Sequence, residues 1–244
     1  LTQDHKDLAA AVQERYEYIF FKILKEAKHM FKSNNLCLGG GCAYNGKANG
    51  TVVDSGLFKH LWVPPAPSDA GNAIGSCLYY LSLTKPTRIN PSPFLGPSFT
   101  DGEIYNALVE YKPLVSFERL NEEVLIAKIA KCLNNNLVVG WFKDRIEFGA
   151  RALGNRSILA NPTPPDMQDR INRVIKKREG FRPFAPMVAF ENQETYFKSK
   201  EYVPYMNQVV GVKDEYKDKL LAVTHVDGTA RVQSVTPHNK IYSL

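Results

Sequence analysis

The apolar run at 137–142 leads without a break into Lys143-Asp144-Arg145-Ile146-Glu147-Phe148-Gly149-Ala150-Arg151-Ala152-Leu153-Gly154-Asn155-Arg156-Ser157-Ile158-Leu159. No other segment constrains the chain as much. A short apolar run followed by a glycine-containing turn predicts a buried strand that ends in a close-packed loop. That loop carries Lys143, Arg145, Arg151 and Arg156. Guanidinium groups present planar, paired donors that match phosphoryl oxygens, and small neighbours let a ligand approach the backbone. Two readings fit the pattern: an anion-binding turn, or a solvated charged loop.

Charge distribution bears on that choice. The net charge is +6 over 244 residues. Residues 141–182 alone hold ten Lys or Arg against five Asp or Glu. A concentrated patch suits a compact polyanion better than a long nucleic-acid track, where positive charge extends and alternates with exposed aromatics. The apolar and charged fractions, 44% and 23%, are those of an ordinary globular protein. No stretch approaches the roughly 18 apolar residues of a membrane span, and the first residues lack a signal-peptide layout. Cys37, Cys42, Cys77 and Cys132 show neither CxxC nor zinc-ribbon spacing, and are expected to be reduced, mostly buried thiols of a cytoplasmic protein.

The first half alternates helix and strand. Leu8, Val12, Tyr16, Ile19, Ile23, Ala27 and Phe31 recur at helical spacing, predicting an amphipathic helix over about 2–32. Strands are expected at 36–38 and 60–63, and a helix after Pro67-Ser68-Asp69 with Ala70, Ile74, Cys77, Leu78 and Leu81 on one face. This order indicates an α/β layered unit. Pro86, Pro91, Pro93, Pro97 and Pro113 mark a connection, with a possible short helix at 101–111. The second half reads as α+β. Asn121 caps a helix with Leu125, Ile129 and Leu133 facing inward, and a further helix is expected near 166–178. Strands are expected at 137–142 and near 186–190, 207–212, 220–225 and 231–235, with a strand-like end at 240–244. Because the chain opens at Leu1 inside a helix, it is expected to be a segment of a longer protein.

Further candidates lie outside the first basic turn. Lys176-Lys177-Arg178 suit a helix C-terminus, where cations meet the negative end of the dipole. Arg182, between Phe181 and Pro183-Phe184, is expected in an apolar setting that requires a buried carboxylate or a bound anion. Asp227-Gly228 signals a hairpin turn flanked by His225 and Arg231, with His225 either functional or simply hydrogen-bonded. Gly39-Gly40-Gly41 and Asn45 are candidates for contact with phosphate oxygens through backbone amides. Asp69 is either a residue of a helix N-terminus or a metal ligand. No Ser-His-Asp or Cys-His nucleophile arrangement is visible.

Taken in order, Leu38-Gly39-Gly40-Gly41-Cys42-Ala43-Tyr44-Asn45, Pro67-Ser68-Asp69-Ala70-Gly71, the segment from Glu147 to Leu159, Phe181-Arg182-Pro183-Phe184-Ala185-Pro186 and Thr224-His225-Val226-Asp227-Gly228-Thr229-Ala230-Arg231-Val232-Gln233 resemble the O-carbamoyltransferases, the family of nodulation protein U and of the cephamycin and tobramycin carbamoyltransferases. The resemblance covers nearly the whole chain. It implies the later part of an actin-like, Kae1-like carbamoyl-transfer domain over 1–115, and a YrdC-like domain over 116–244. It further implies formation of carbamoyl-adenylate from carbamoyl phosphate and ATP with Mg2+, and transfer to a hydroxyl of a small molecule such as a sugar or an aminoglycoside. Neither nucleic acid nor membrane is an expected partner.

By the same resemblance, Arg151, Lys176, Arg182 and Arg231 fall on basic positions of the adenylate-forming site, and Arg145, Asn155, Arg156 and His225 are neighbours that bind the nucleotide. Asp69 falls on a ligand of an iron-type divalent metal. Ala150 stands where the family often has proline. The histidine pair that completes the metal site is expected before Leu1, and a last part of the YrdC-like domain after Leu244. Two rivals remain at this point: a threonylcarbamoyl-adenylate enzyme of tRNA modification, and a non-catalytic nucleotide- or RNA-binding module.

Overall fold

The computed structural model describes residues 1–85, 92–239 and 241–244. Among the described residues the architecture is mixed, with helices and four two-stranded sheets. Pro86 and Pro91 of the expected connection, and Lys240 of the expected last strand, lie outside the described residues.

The first half alternates helix and strand, as the sequence predicts. A long helix, α1 (Gln3–Phe31), precedes β1 (Asn35–Cys37). A 3-10 turn (Gly41–Tyr44) and α2 (Gly46–Asp54) then return the chain to β2 (His60–Trp62), which pairs in parallel with β1. The small core here joins Leu24 of α1, Val52 of α2 and Phe58, with Phe20 and Phe21 against them. The side of α1 turned inward is therefore that of Tyr16, Phe20, Phe21 and Leu24. Leu8, Val12, Ile19, Ile23 and Phe31 of the expected apolar face are exposed, Leu8 at 66%. The helix carries two apolar stripes, and spacing alone cannot say which one packs. Likewise α3 (Asp69–Thr84) forms, but none of its residues is buried. The cysteines correct another expectation: Cys37, Cys42 and Cys77 are exposed and Cys132 is half-buried, because the elements that carry them are covered on one side only.

Thr100 and Glu103 form a reciprocal capping box that starts α4 (Asp101–Glu110). Asn121 caps α5 (Glu122–Asn134) by accepting the Val124 N–H at 2.9 Å. Leu125 and Ile129 of α5 pack on a cluster built from Trp141, Val235 and Ile241. In the second half β3 (Val139–Phe142) pairs antiparallel with β4 (Arg156–Leu159). The expected helix near 166–178 is shorter: α6 (Met167–Arg170) widens into a π turn (Ile171–Ile175). β5 (Met187–Ala189) pairs in parallel with β8 (Gln233–Val235), α7 (Gln193–Tyr196) lies between them in sequence, and α8 (Asp214–Lys217) follows β6 (Val210–Gly211), which pairs antiparallel with β7 (Thr229–Ala230).

Two expected strands are absent. Residues 220–225 form a helical turn, closed by the Thr224 N–H and hydroxyl on the Leu220 carbonyl, so a side chain competes with a ladder for the backbone. Residues 241–244 form a turn that carries Ile241 into the Trp141 cluster.

The halves are joined through α2. Gly50 lies against the backbone of Val209, where an added Cβ would stand 1.9 Å from the carbonyl oxygen. Buried Asn49 donates to the carbonyls of Ala43 at 2.8 Å and Asn207 at 2.9 Å, and Asn207 donates to that of Val63 at 2.9 Å. These bonds fix the 3-10 turn and α2 against the loop before β6.

Candidate functional site

The loop after β3 is organised by one carboxylate. Glu147 is 5% exposed, and its Oε1 accepts the N–H groups of Leu153 at 2.7 Å, Asn155 at 2.9 Å and Arg156 at 3.1 Å. Burial would raise this carboxyl, but the backbone donors outweigh it and hold Glu147 below the usual carboxylate range. Gly154 turns the chain at φ +109, in the left-handed region, directly against Ile241. Trp141 donates from Nε1 to the Gly154 carbonyl at 2.9 Å and ties the loop to β3. On the other side, Gly149 rests against Pro65 and Ala66, and the Phe148 N–H reaches the Pro93 carbonyl at 2.6 Å.

This scaffold presents Arg151. Its guanidinium lies over the Tyr44 ring, 5.5 Å from the centroid, so a residue of the first half forms one wall. Arg231, following β7, is half-buried near Arg151 and Arg178. Desolvation and those two charges push it down to about 10. The Nε atoms of Arg151 and Arg231 are buried without a hydrogen-bond partner, and no carboxylate lies within ion-pair distance of Arg151, Arg178 or Arg231 among the described residues. Clustered cations with unfilled donors are costly unless an anion joins them.

Arg178 is held by the π turn. Its Nε donates to the Oδ1 of Asn172 at 2.6 Å, and its guanidinium lies 5.1 Å from the Phe184 ring centroid. Fully buried Asn172 also donates to the carbonyls of Gly180 at 3.1 Å and Arg182 at 2.8 Å, and so shapes the whole 178–182 turn. Lys176 is exposed at the end of the π turn. Partial desolvation and the Arg178 charge lower it from the ordinary lysine value.

On the far side, the Asp227-Gly228 turn closes through the His225 N–H on the Thr229 carbonyl at 2.7 Å. Asp227 accepts from Lys47 of α2 at 2.5 Å and from the Thr229 hydroxyl at 2.6 Å. Burial would raise Asp227, but Lys47 and Thr229 prevail and hold it at about 2.

The sequence-derived candidates therefore divide. Arg151, Arg231 and His225 come together, with Lys176 alongside Arg178. Arg145 is committed elsewhere, donating from Nε and Nη2 to the carbonyls of Gly96 at 2.9 Å and Leu95 at 3.1 Å. Asn155 is buried and donates to the Arg145 carbonyl at 2.7 Å, which makes it part of the loop's frame. Arg156 is exposed on β4. Arg182 corrects an expectation: it is 52% exposed and pairs with Glu179 at 2.8 Å, so neither a buried carboxylate nor an apolar enclosure surrounds it. Its flanking Phe181 is itself exposed, which leaves the guanidinium in water.

In the glycine turn, the Gly40 N–H is taken by the Pro67 carbonyl at 2.7 Å, and Asn45 caps α2 by accepting the Ala48 N–H while exchanging bonds with Gln13. Gly41 opens the 3-10 turn that delivers Tyr44. Asp69 is exposed in the first turn of α3, and among the described residues no group of three or more His, Cys, Asp or Glu is placed to hold a metal ion. One carboxylate does not make an iron site. No described helix is long and apolar enough to cross a membrane.

Sequence reasoning passed over Glu147, Tyr44, Lys47 and Asn172. Glu147 alone left a trace: an acidic residue in a strongly basic turn, just ahead of two glycines.

Comparison with known proteins follows the same division of the chain. The family model described as Carbamoyltransferase N-terminus matches residues 1–78, and that described as Carbamoyltransferase C-terminus matches 130–244. Nodulation protein NolNO of Sinorhizobium fredii is 40% identical over 96% of this chain and 35% of its own length. Nodulation protein NolO of Bradyrhizobium diazoefficiens is 39% identical over 96% of this chain and 44% of its own length. Nodulation protein U of Sinorhizobium fredii is 36% identical over 85% of this chain and 35% of its own length. The chain thus spans less than half the length of these relatives. With the two family models lying in order on the two halves that meet between Tyr44 and Arg151, the chain belongs to the carbamoyltransferase family.

Proposed function

We propose that this chain is part of an ATP-dependent O-carbamoyltransferase, and that the Arg151–Arg231–Arg178 cluster is its adenylate-forming site. In this reading carbamoyl phosphate, ATP and water give carbamoyl-adenylate, pyrophosphate and phosphate. The carbamoyl group then passes to a hydroxyl of a small acceptor such as a sugar or an aminoglycoside. Residues 1–115 belong to the Kae1-like transfer domain and 116–244 to the YrdC-like domain. The iron-type metal belongs to the whole protein, with Asp69 as one ligand.

One observation carries the proposal: half-buried Arg151 and Arg231 each have a buried Nε without a hydrogen-bond partner, and neither has a carboxylate partner, among the described residues. Displacement at the α-phosphorus spreads negative charge over the equatorial oxygens and the departing pyrophosphate. Fixed guanidiniums stabilise that charge with little reorganisation. Arg151 grips paired oxygens through its fork while Tyr44 and the Glu147-bound loop hold its orientation. Arg231 and Arg178 neutralise the remainder, and Lys176 adds a positive charge at the rim.

The test is carbamoyl-phosphate-dependent pyrophosphate release by the full-length protein. Arg151→Lys should fall by about 100-fold or more, close to Arg151→Ala, because lysine keeps the charge and loses the fork. Near-normal turnover of the lysine variant would remove Arg151 from this role. Pyrophosphate release with bicarbonate plus threonine, but not with carbamoyl phosphate, would replace the reading with threonylcarbamoyl-adenylate formation.

A further inference from the structure

His225 has a hydrogen-bond arrangement that fixes its chemistry. Its Nδ1 lies 3.0 Å from the Thr229 hydroxyl. That hydroxyl has a single hydrogen, and Asp227 Oδ1 stands 2.6 Å away as an acceptor-only carboxylate, held ionised by Lys47. Thr229 therefore donates to Asp227 and accepts from His225, so the imidazole proton is on Nδ1. In the neutral ring Nε2 is then a bare acceptor. It is buried and has no partner among the described residues.

Burial, more than the surrounding charges, favours the neutral ring. Burial lowers His225 from its ordinary value; Asp227 opposes this, while Arg231 and Lys47 reinforce it. An unfilled acceptor thus stands beside Arg231, in a site otherwise lined with donors. Phosphoryl oxygens cannot satisfy it, since they too are acceptors. What fits is a small neutral N–H donor delivered with an anion, because Nε2 is shut off from bulk water.

We infer that His225 Nε2 accepts a hydrogen bond from the amide –NH2 of the carbamoyl donor, and that the chain Lys47–Asp227–Thr229–His225 is the device by which the site selects a carbamoyl group over an acyl group of the same shape. The inference rests on the adenylate-forming reading of the Arg151 cluster. It assigns specificity to His225 and a positioning role to Thr229, Asp227 and Lys47. Lys47 belongs to α2, so the docking of the first half against the second sets the tautomer that reads the donor.

The experiment compares carbamoyl phosphate with acetyl phosphate, in which a methyl group replaces –NH2, as donors for ATP-dependent pyrophosphate release by the full-length protein. The wild type should prefer carbamoyl phosphate in kcat/KM. His225→Phe, which removes the acceptor, should lower that preference by about tenfold to a hundredfold. His225→Gln, whose amide oxygen can take the place of Nε2, should retain most of it. Thr229→Val, which frees the tautomer, should fall between them. A preference unchanged in His225→Phe, or a parallel loss with both donors in Phe and Gln variants alike, overturns the assignment. A wild type that releases no pyrophosphate with carbamoyl phosphate overturns the underlying reading and this inference with it. Thermal melting of each variant shows whether a parallel loss comes from unfolding.

Discussion

The turns at 145–156 and 176–182 carry similar charge and are built in opposite ways. In the first, one buried carboxylate gathers three backbone N–H groups and leaves Arg151 over Tyr44 with donors to spare. In the second, a buried amide, Asn172, shapes the backbone, while Arg182 settles into an exposed pair with Glu179. The first turn is fixed by backbone hydrogen bonds to a buried carboxylate; the second leaves its outermost cation solvated. Density of positive charge is thus a poor guide to which arginine is held ready. What separates Arg151 and Arg231 from Arg145 and Arg182 is that the latter pair already have acceptors, in backbone carbonyls or in a neighbouring carboxylate.

The largest effect should come from Glu147. Glu147→Ala leaves three backbone N–H groups, two of them buried, without their acceptor and should cost about 3 kcal/mol or more, with loss of pyrophosphate release even in protein that remains folded. Glu147→Gln keeps an acceptor oxygen but not its charge, and should cost about 1–3 kcal/mol. The pH dependence has a definite sign. Glu147 is lowered from 4.5 in the folded protein, so its stabilisation is complete above that value and is lost as pH falls through the lower folded value. The stability gap between wild type and Glu147→Gln should narrow as pH drops below 4.5. Equal melting temperatures for the two at pH 7 would mean that the first turn does not depend on its carboxylate.

How much of this was legible beforehand follows from what each signal measures. The place of β3, the Asn121 cap and the inward face of α5 were readable because local chemistry decides them, but the burial expected of β3 was not, since only Trp141 is covered while Leu137 and Phe142 are exposed. The inward face of α1 was not, since both of its stripes are apolar and only Val52 and Phe58 select one. The strand expected at 220–225 gave way to a turn through the Thr224 hydroxyl, a local competitor that alternation does not register. At the site, the arginines were visible as charges, yet their division into free and committed groups depends on carbonyls of Leu95 and Gly96, some fifty residues away. Tyr44 and Lys47 were hidden for the same reason: their partners, Arg151 and Asp227, lie in the other half of the chain.

An intermediate effect tests the joint between the halves, which reaches the first turn through Tyr44 and Arg151. Gly50→Ala places a methyl group 1.9 Å from the Val209 carbonyl oxygen, so α2 must move away. Overpacking costs of about 1–3 kcal/mol are offset in part by alanine's better helix propensity, about 1 kcal/mol. Because Lys47 lies on the same helix, its pair with Asp227 should lengthen, and the Asp227 carboxyl should rise from about 2 toward its ordinary 3.8. Carboxyl chemical shifts followed through an acid titration read this directly. An Asp227 that still titrates near 2 would show that the Lys47 contact survives movement of α2, and that the joint is looser than its packing implies.

The smallest effect belongs to the second turn. Arg182→Met removes one exposed pair with Glu179, and exposed i,i+3 pairs contribute little after solvent screening, so stability should change by no more than about 0.5 kcal/mol. Methionine retains much of the apolar stem, and the Arg182 carbonyl that Asn172 holds at 2.8 Å is backbone, untouched by the substitution. The 178–182 turn should keep its shape and Arg178 its place over Phe184. If Arg182 acts only as an outlying charge, pyrophosphate release should fall by less than about tenfold, well short of the loss of a transition-state donor. A fall of about 100-fold at unchanged melting temperature would break the comparison. It would mean that Arg182 leaves Glu179 and turns into the site when nucleotide binds, and that the two turns differ only until the anion arrives.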